Sequence, residues 1–243
     1  MADGPALRPV TATLLALAGI RTGERVVDVG CGTGTLAHAA AAAAGPYGRV
    51  FGVDPSRAAL GAGRARRDSP VCWVCASGER LPFGSGTADK VLNGPALHRL
   101  PDVRPVLVEQ LRILAPWGRL AASAWGAFAA GPEEDAFVSA LASCGADPGA
   151  YGGALVVDGT SRNGADLPAL LREAGLRIVH ETTDEVTVRM PDAAAYAAWR
   201  LAFAPPLGAP EAAAVVVAVA AALGPDPVAV PAVVHSATAN PQT

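Results

Sequence analysis

The stretch VVDVGCGTG, from Val26 to Gly34, places three glycines within five residues directly after an apolar run. Glycine is costly inside regular structure, because it loses more backbone freedom on ordering than any other residue. Gly30, Gly32 and Gly34 therefore indicate either a tight turn or a ligand that lies directly against the main chain. The sequence on both sides of the loop is needed to choose between the two.

Composition excludes several classes of protein. The chain has 243 residues, 51% of them hydrophobic, so it can bury a sizeable core. A net charge of −3 argues against the basic face of a nucleic-acid-binding protein. The start MADGPALRPV lacks the pattern of a signal peptide, and the apolar stretch Ala212–Gly224 is too short to span a bilayer. We expect a cytoplasmic monomer or homodimer with free thiols that binds neither nucleic acid nor membrane.

Short apolar runs alternate with helical stretches from Arg25 to Trp125, which is typical of βαβ units and a parallel sheet. The pattern predicts strands at Arg25–Cys31, Arg49–Asp54, Val71–Ala76, Asp89–Asn93, Gly118–Trp125, Leu176–Met190 and Val228–Ala237. It predicts helices at Ala6–Ala18, Thr35–Ala44, Ser56–Arg67, Asp102–Leu114, Glu133–Cys144, Asp166–Ala174, Asp192–Ala202 and Pro210–Leu223. The predicted fold is α/β, Rossmann-like and doubly wound, with a mostly parallel seven-stranded sheet, helices on both faces and a helical cover.

The glycine spacing and an acidic residue further along indicate the kind of ligand. Dinucleotide-binding loops have the spacing G-x-G-x-x-G, whereas here Thr35 stands where that pattern needs its third glycine. Asp54 follows the second strand, and a carboxylate there hydrogen-bonds ribose hydroxyls in open α/β sheets. We therefore expect a ligand with a ribose but without a pyrophosphate, held where Gly30, Asp54, Ser77 and Asn93 converge at the carboxyl ends of the strands.

Five segments together carry a family resemblance: VVDVGCGTG, VFGVDPS, ASGERLPF, ADKVLNGPALHRLPD and LRILAPWGRLAASAW. In this order and spacing the chain resembles the class I S-adenosylmethionine-dependent methyltransferases, in particular the ubiquinone/menaquinone-biosynthesis-like branch that acts on small molecules. The resemblance is strong from Val10 to Trp125. It implies a single methyltransferase domain, 1–243, with a cofactor-binding core at 20–125 and variable substrate-side cover elements at 126–165 and 192–224.

The resemblance also implies which residues bind the cofactor, S-adenosylmethionine, and its product, S-adenosylhomocysteine. Around the methionine part it places Asp28, Gly30, Cys31, Gly32 and Gly34. It assigns the ribose hydroxyls to Asp54 and the adenine edge to Pro55 and Ser56. Many relatives carry an aspartate for the adenine amino group where this chain has Ser77, and Gly78 and Glu79 are neighbours that can share that role. Beneath the methyl donor it places Asn93 and Gly94.

The residues that act on the acceptor have weaker signals. His98 is the candidate general base, which methyl transfer needs only when the nucleophile is a hydroxyl or an acidic C–H. The alternative is that His98 orders its loop or contacts the cofactor. Trp125 is a candidate for the acceptor pocket. Tyr196, Trp199 and Phe203 share one helix face, which predicts either core packing or a lid over an aromatic acceptor.

The pair Cys72 and Cys75 resembles a metal-binding motif, but residues three apart on a strand point to opposite faces, so we expect no metal. The leading hypothesis is methyl transfer to a small apolar or aromatic acceptor, in specialised metabolism. A cyclase or rearrangement catalyst that retains the cofactor without methyl transfer is the first alternative. A non-catalytic partner subunit is the second.

Overall fold

The computed structural model describes residues 8–66, 70–97, 100, 102–128, 130–151, 155–157, 160–162, 166–201 and 207–242. The strands are β1 Arg25–Val29, β2 Arg49–Asp54, β3 Val71–Cys75, β4 Ala88–Asn93, β5 Leu114–Phe128, β6 Leu155–Val157, β7 Thr160–Arg162, β8 Leu176–Met190 and β9 Val228–Pro241. The α-helices are α1 Arg8–Ala18, α2 Thr35–Ala44, α3 Arg57–Ala65, α4 Arg104–Ile113, α5 Pro132–Ser143, α6 Leu167–Glu173, α7 Ala193–Leu201 and α8 Ala209–Leu223. A short 3₁₀ helix spans Pro148–Tyr151.

Seven strands form one sheet in the order β3-β2-β1-β4-β5-β9-β8. Strands β1 to β5 are mutually parallel, whereas β9 pairs antiparallel with both β5 and β8. Helices α2, α3 and α4 lie in the crossovers β1–β2, β2–β3 and β4–β5, whereas residues 76–87 join β3 to β4 without a helix. The predicted doubly wound, mostly parallel seven-stranded sheet is confirmed.

Two hydrophobic clusters lie on opposite faces of the sheet because successive strand residues point to opposite sides. On one face, Val27 of β1 and Val91 of β4 pack with apolar side chains of α4 and α6. On the other, Val26 and Leu92 pack with α1 and α2. Helices thus cover both faces, and the central strands are apolar on both sides.

Local signals set several boundaries as predicted. The Ser56 hydroxyl caps α3 by accepting from the Ala59 amide at 3.2 Å. The bounds of α2, β2 and β8 are those predicted.

The predicted start of strand β5 was wrong, and one hairpin was missed. Strand β5 begins at Leu114 rather than at Gly118, because Leu114 pairs with Ala88 before a register shift. The hairpin of β6 and β7 was not predicted.

A helical cover stands at one end of the sheet. Helices α5, α7 and α8 pack around Phe137, Tyr196 and Val219. Strand β5 continues past the end of β4, whose last residue, Asn93, pairs with Ala122. Of the residues that the structure describes, none forms a helix with both the length and the apolar character needed to cross a membrane.

Candidate functional site at the carboxyl edge of the sheet

The carboxyl ends of β3, β2, β1 and β4 lie side by side, because these strands are parallel neighbours in the sheet. The glycine loop follows β1, Asp54 ends β2, Ser77 follows β3 and Asn93 ends β4. Ligands of open α/β sheets bind at such an edge. We refer to this group of strand ends as the carboxyl edge.

The glycine loop is a tightly bonded turn whose three glycines all have left-handed backbones. Their φ angles are +75° at Gly30, +56° at Gly32 and +83° at Gly34. The amides of Gly30 and Cys31 both donate to the carbonyl of Val53, at 2.8 and 3.0 Å. The loop is therefore fixed to β2 before α2 begins at Thr35.

Gly34 is required by packing as well as by its backbone. A Cβ atom on Gly34 would lie 2.2 Å from Cη2 of Trp73, a side chain of the edge strand β3. The same indole would lie 2.5 Å from a Cβ on Gly63 and 3.2 Å from one on Gly52. Trp73 also meets the His38 ring edge-on at 5.4 Å. This third glycine therefore makes room for a tryptophan, which the loop spacing alone does not indicate.

Asp54 connects the end of β2 to the glycine loop. Its Oδ2 accepts from the Gly32 amide at 2.9 Å, and its Oδ1 accepts from the Ser56 amide at 2.8 Å. An ionised carboxylate has about four acceptor positions, so each oxygen can accept another hydrogen bond. The carboxylate is therefore oriented by the backbone and still able to bind two vicinal hydroxyl groups.

The loop after β3 presents exposed polar groups beside Asp54. The Ser77 hydroxyl is exposed and accepts from the Glu79 amide at 3.2 Å. The carbonyl of Pro55 accepts from the Cys75 thiol at 3.6 Å. A Cβ on Gly78 would lie 3.1 Å from Val29 and 3.2 Å from Val106, so close packing favours glycine there.

Asn93 and Asp28 place buried polar groups on opposite faces of the sheet. Asn93 pairs with Ala122, whose side chain lies on the α4 face, whereas Asp28 pairs with Leu92 on the α2 face. Asn93 is 2% exposed, and its Oδ1 has no hydrogen-bond partner among the described residues. Gly94 follows it at the edge. The edge thus holds a buried acceptor that its own protein neighbours do not satisfy.

The candidate base and the candidate acceptor residues differ in what the structure shows. His98 and Phe203 lie outside the described residues. Trp125 and Trp199 meet edge-on at 5.5 Å between ring centroids. Trp125 and Tyr196 are fully buried, and Trp199 is half-buried. Their role in acceptor binding stays a prediction.

Sequence reasoning missed the buried ion pair beneath these aromatic rings. Arg200 is 1% exposed and forms a two-point contact with Glu134, with Nη2–Oε1 at 2.5 Å and Nε–Oε2 at 3.1 Å. The guanidinium also lies over the rings of Phe128 and Phe137. The Tyr196 hydroxyl donates to Glu134 at 3.0 Å, and burial raises the pKa of this tyrosine. The residues of the pair are 66 apart in the chain, so no local pattern reveals them.

The two cysteines of β3 lie on a strand whose side chains alternate between the two faces of the sheet. Neither Cys72 nor Cys75 forms a disulfide within the described residues. Val71 and Val74, which flank Cys72 and Cys75 on this strand, belong to the clusters on opposite faces, so the strand alternates as predicted. Throughout the described ranges, no group of three or more His, Cys, Asp or Glu side chains can hold a metal ion.

Comparison with known proteins bears on the same residues. Residues 27–122 match the family described as "Methyltransferase domain". Over these residues the chain therefore belongs to the methyltransferase domains. Demethylmenaquinone methyltransferase of Geobacillus sp. is 33% identical over 105 residues, or 42% of this chain and 45% of that protein. The chain thus spans about half the length of the curated relatives that it matches.

Two solved structures share the fold of the methyltransferase domain and its cover. The 4+2 cyclase SpnF has a TM-score of 0.63 at 21% identity, with 97% of this chain and 81% of that chain covered. The 1,6-didemethyltoxoflavin-N1-methyltransferase of Burkholderia thailandensis, solved with S-adenosylhomocysteine bound, has a TM-score of 0.55 at 20% identity, with 99% and 80% covered. At these identities the likeness is one of fold.

The carboxyl edge of the methyltransferase domain fits its cofactor. The unsatisfied Oδ1 of Asn93 and the carboxylate of Asp54 are acceptors, which suit an ammonium group and ribose hydroxyls. The left-handed loop leaves its backbone without side chains at Gly30 and Gly32. The assignment of cofactor binding stays a prediction for Asp28, Gly30, Cys31, Gly32, Gly34, Asp54, Pro55, Ser56, Ser77, Gly78, Glu79, Asn93 and Gly94.

Proposed function

We propose that the protein transfers a methyl group from S-adenosylmethionine to a small-molecule acceptor. The observation that carries this proposal is the hydrogen bond between the Gly32 amide and Asp54, which joins the glycine loop to the carboxylate that we predict to bind the ribose. The match of residues 27–122 to the methyltransferase family supports it.

The chemistry divides between the cofactor and the chain. When bound, the cofactor supplies a methyl group that is already activated. The protein therefore has to align the acceptor and exclude water rather than activate the donor. The cover of α5, α7 and α8 stands at the end of β5 where it can close over an acceptor.

Substitution Asp54→Asn tests the cofactor site. The amide oxygen can still accept from Gly32, but the charge and part of the acceptor capacity are lost. We expect the dissociation constant for S-adenosylhomocysteine to rise at least about tenfold, or ~1.4 kcal/mol, by isothermal titration calorimetry.

Asp147→Asn is the matched control. Asp147 is exposed and also accepts from the amide two residues ahead, that of Gly149 at 3.0 Å. The Asp147→Asn variant should bind S-adenosylhomocysteine with the same affinity as the parent protein. Absence of binding by the parent protein, or equal binding by Asp54→Asn, would refute the proposal.

We propose an apolar or aromatic acceptor from specialised metabolism, with Trp125, Tyr196 and Trp199 forming or supporting the wall that faces it. The aromatic cluster around Trp199 supports this choice. Incubation with labelled cofactor and a panel of small phenols, quinones and heteroaromatic amines tests it. Label transferred to no acceptor, with S-adenosylhomocysteine still bound, would favour the cyclase alternative or the non-catalytic subunit instead.

We propose His98 as the general base for a hydroxyl or acidic C–H acceptor. His98→Gln should lower kcat by about 10²-fold or more and remove the limb of the pH–rate profile that rises near neutral pH. Unchanged affinity for S-adenosylhomocysteine would separate this role from cofactor contact. If the pH–rate profile of the variant kept the same shape, His98 would not be the base, and the alternative that it orders its loop would be favoured.

We also place the protein in the cytoplasm, as a monomer or homodimer. Cys72, Cys75 and Cys144 form no disulfide within the described residues, which supports a reducing compartment. Sedimentation of the purified chain measures its oligomeric state.

A further inference from the structure

The amino ends of β1 and β2 border a cleft at the edge of the sheet opposite the carboxyl edge. Its volume is about 420 Å³, which lies within the range of small-molecule sites. Its lining includes Arg25, Tyr47, Arg49, Asp89 and Trp117. We call it the amino-edge cleft.

Two arginines meet in this cleft. Arg25 and Arg49 are directly opposite each other in the pairing of β1 with β2, and both are exposed. Neighbouring strands are about 4.8 Å apart, and like charges placed opposite each other are destabilising. Arg25 Nη1 donates to the Thr87 carbonyl at 2.9 Å, whereas the Arg49 guanidinium has no hydrogen bond or ion pair within the described part of the chain. An anion between the two side chains would satisfy both.

The acidic groups nearby are already engaged. Asp89 accepts from the Arg25 amide at 2.9 Å with Oδ2 and from the Trp117 indole at 3.1 Å with Oδ1. Glu24 lies 3.6 Å from the ammonium of Lys90. Neither carboxylate forms an ion pair with the Arg49 guanidinium.

Two large aromatic side chains beside the arginines are exposed to solvent. Trp117 is 76% exposed and Tyr47 is 83% exposed. The hydrogen bond to Asp89 nevertheless fixes the Trp117 indole, so a ring that stacks on it meets an ordered surface. Stacked aromatic pairs stabilise contacts beyond the area that they bury.

We propose that the amino-edge cleft binds a small planar aromatic anion. Its carboxylate or phosphate lies between Arg25 and Arg49, which match such groups with two parallel N–H donors each. Its ring lies against Trp117 and Tyr47. The five residues of β1 separate this site from the glycine loop by roughly 17 Å, so it is independent of the proposed methyl transfer.

Three probes dissect the recognition: phenyl phosphate, cyclohexyl phosphate and benzyl alcohol. The indole N–H signals of the protein are followed by NMR, and Trp117→Phe identifies the signal of Trp117. Phenyl phosphate should shift that signal saturably, with or without S-adenosylhomocysteine present. The non-aromatic phosphate and the uncharged ring should each bind at least about tenfold more weakly, or ~1.4 kcal/mol.

Variants locate the site. Arg49→Gln and Trp117→Ala should each weaken phenyl phosphate about tenfold by calorimetry, and Arg49→Lys should restore only part of the affinity. Arg189→Gln, an exposed arginine on β8, is the control and should bind as the parent protein does. No saturable shift of the Trp117 signal, or equal weakening by Arg189→Gln, would overturn the proposal. Neither result depends on cofactor binding.

Discussion

At the scale of single residues, the Trp73 side chain explains why the glycine loop has no room for a side chain at Gly34. Its indole fills the positions where Cβ atoms of Gly34, Gly52 and Gly63 would lie. These glycines come from the loop, from β2 and from α3, so the indole is enclosed by three elements. The loop is thus fixed by packing against Trp73 and by the hydrogen bonds of its Gly30 and Gly32 amides to β2.

Gly34→Ala tests this arrangement. The left-handed backbone at φ +83° and the contact with Trp73 should together lower the free energy of unfolding by about 2 to 5 kcal/mol. Urea denaturation measures the change. In a Trp73→Leu background, only the backbone part, about 1 to 3 kcal/mol, should remain.

Gly61→Ala is the matched control on helix α3. No atom lies within 4 Å of its Cβ position, so alanine should stabilise the helix by about 0.5 to 1 kcal/mol. A loss at Gly34 no larger than at Gly61 would contradict the packing role of Trp73.

The positions of the glycine loop after β1 and of Asp54 at the end of β2 could be predicted, because both follow from local spacing in the sequence. It does not predict the contact of Trp73 with Gly34, because the two are far apart in the chain and no periodicity connects them. For the same reason, the pairing of Glu134 with Arg200 appears only in the folded chain.

At the scale of elements, helix α4 anchors the segment between β3 and β4. Glu109 accepts from the Leu81 amide at 2.8 Å. Arg112 donates to Glu109 and to the carbonyls of Leu81 and Phe83. The segment that follows Ser77 is thereby held to helix α4.

The Glu109 contacts predict a pH dependence of stability. The hydrogen bond from Arg112, and then that from Leu81, hold the pKa of Glu109 below its ordinary value of 4.5. Because the folded pKa is the lower one, this stabilisation is present above pH 4.5 and is lost as the pH falls through the folded pKa. The difference in unfolding free energy between the parent protein and Glu109→Gln should therefore shrink from pH 7 to pH 3.

Glu185→Gln, at an exposed position on β8, supplies the baseline for that comparison. Equal pH profiles for the two variants, measured by urea denaturation, would show that Glu109 does not have this role.

Element boundaries were predictable where a local signal sets them. Ser56 caps α3, and glycine precedes α2. Strand β9 extends to Pro241 rather than ending at Ala237, because its pairing with β8 continues to Leu176. The length of a strand at this end of the sheet depends on the strand with which it pairs. The sequence pattern of one segment alone does not contain that information.

At the scale of the whole molecule, one ion pair ties the cover together. Arg200 of α7 is buried against Phe128 of β5 and Phe137 of α5, and it pairs with Glu134. The Glu134 side chain retains 21% exposure, whereas that of Arg200 retains 1%. Removal of Glu134 would therefore leave a buried charge, whereas removal of Arg200 would leave a charge that is partly exposed to water.

Removal of the acid should cost more than removal of the base. Glu134→Leu leaves a buried guanidinium and the Tyr196 hydroxyl without their acceptor, so we expect a loss of about 3 to 5 kcal/mol. Arg200→Met leaves a carboxylate that water can reach and should cost less. The double variant should recover most of the loss in urea denaturation, because no buried charge remains.

The exposed pair of Arg172 with Glu181, 3.8 Å apart, is the control for this series. Arg172→Met should change stability by no more than about 1 kcal/mol. An equal cost for Glu134→Leu and Arg200→Met would contradict the asymmetry.

The tryptophan beneath the glycine loop also has an evolutionary consequence. Because one indole occupies the side-chain space of Gly34, Gly52 and Gly63, these four positions are not free to mutate independently. Loss of Trp73 from a homologue would relieve the close contact at Gly52, whereas a Cβ atom on Gly63 would still lie 2.8 Å from the Thr33 carbonyl oxygen. Substitutions at Gly52 and Trp73 should therefore be correlated across lineages, with loss of the tryptophan preceding loss of the glycine.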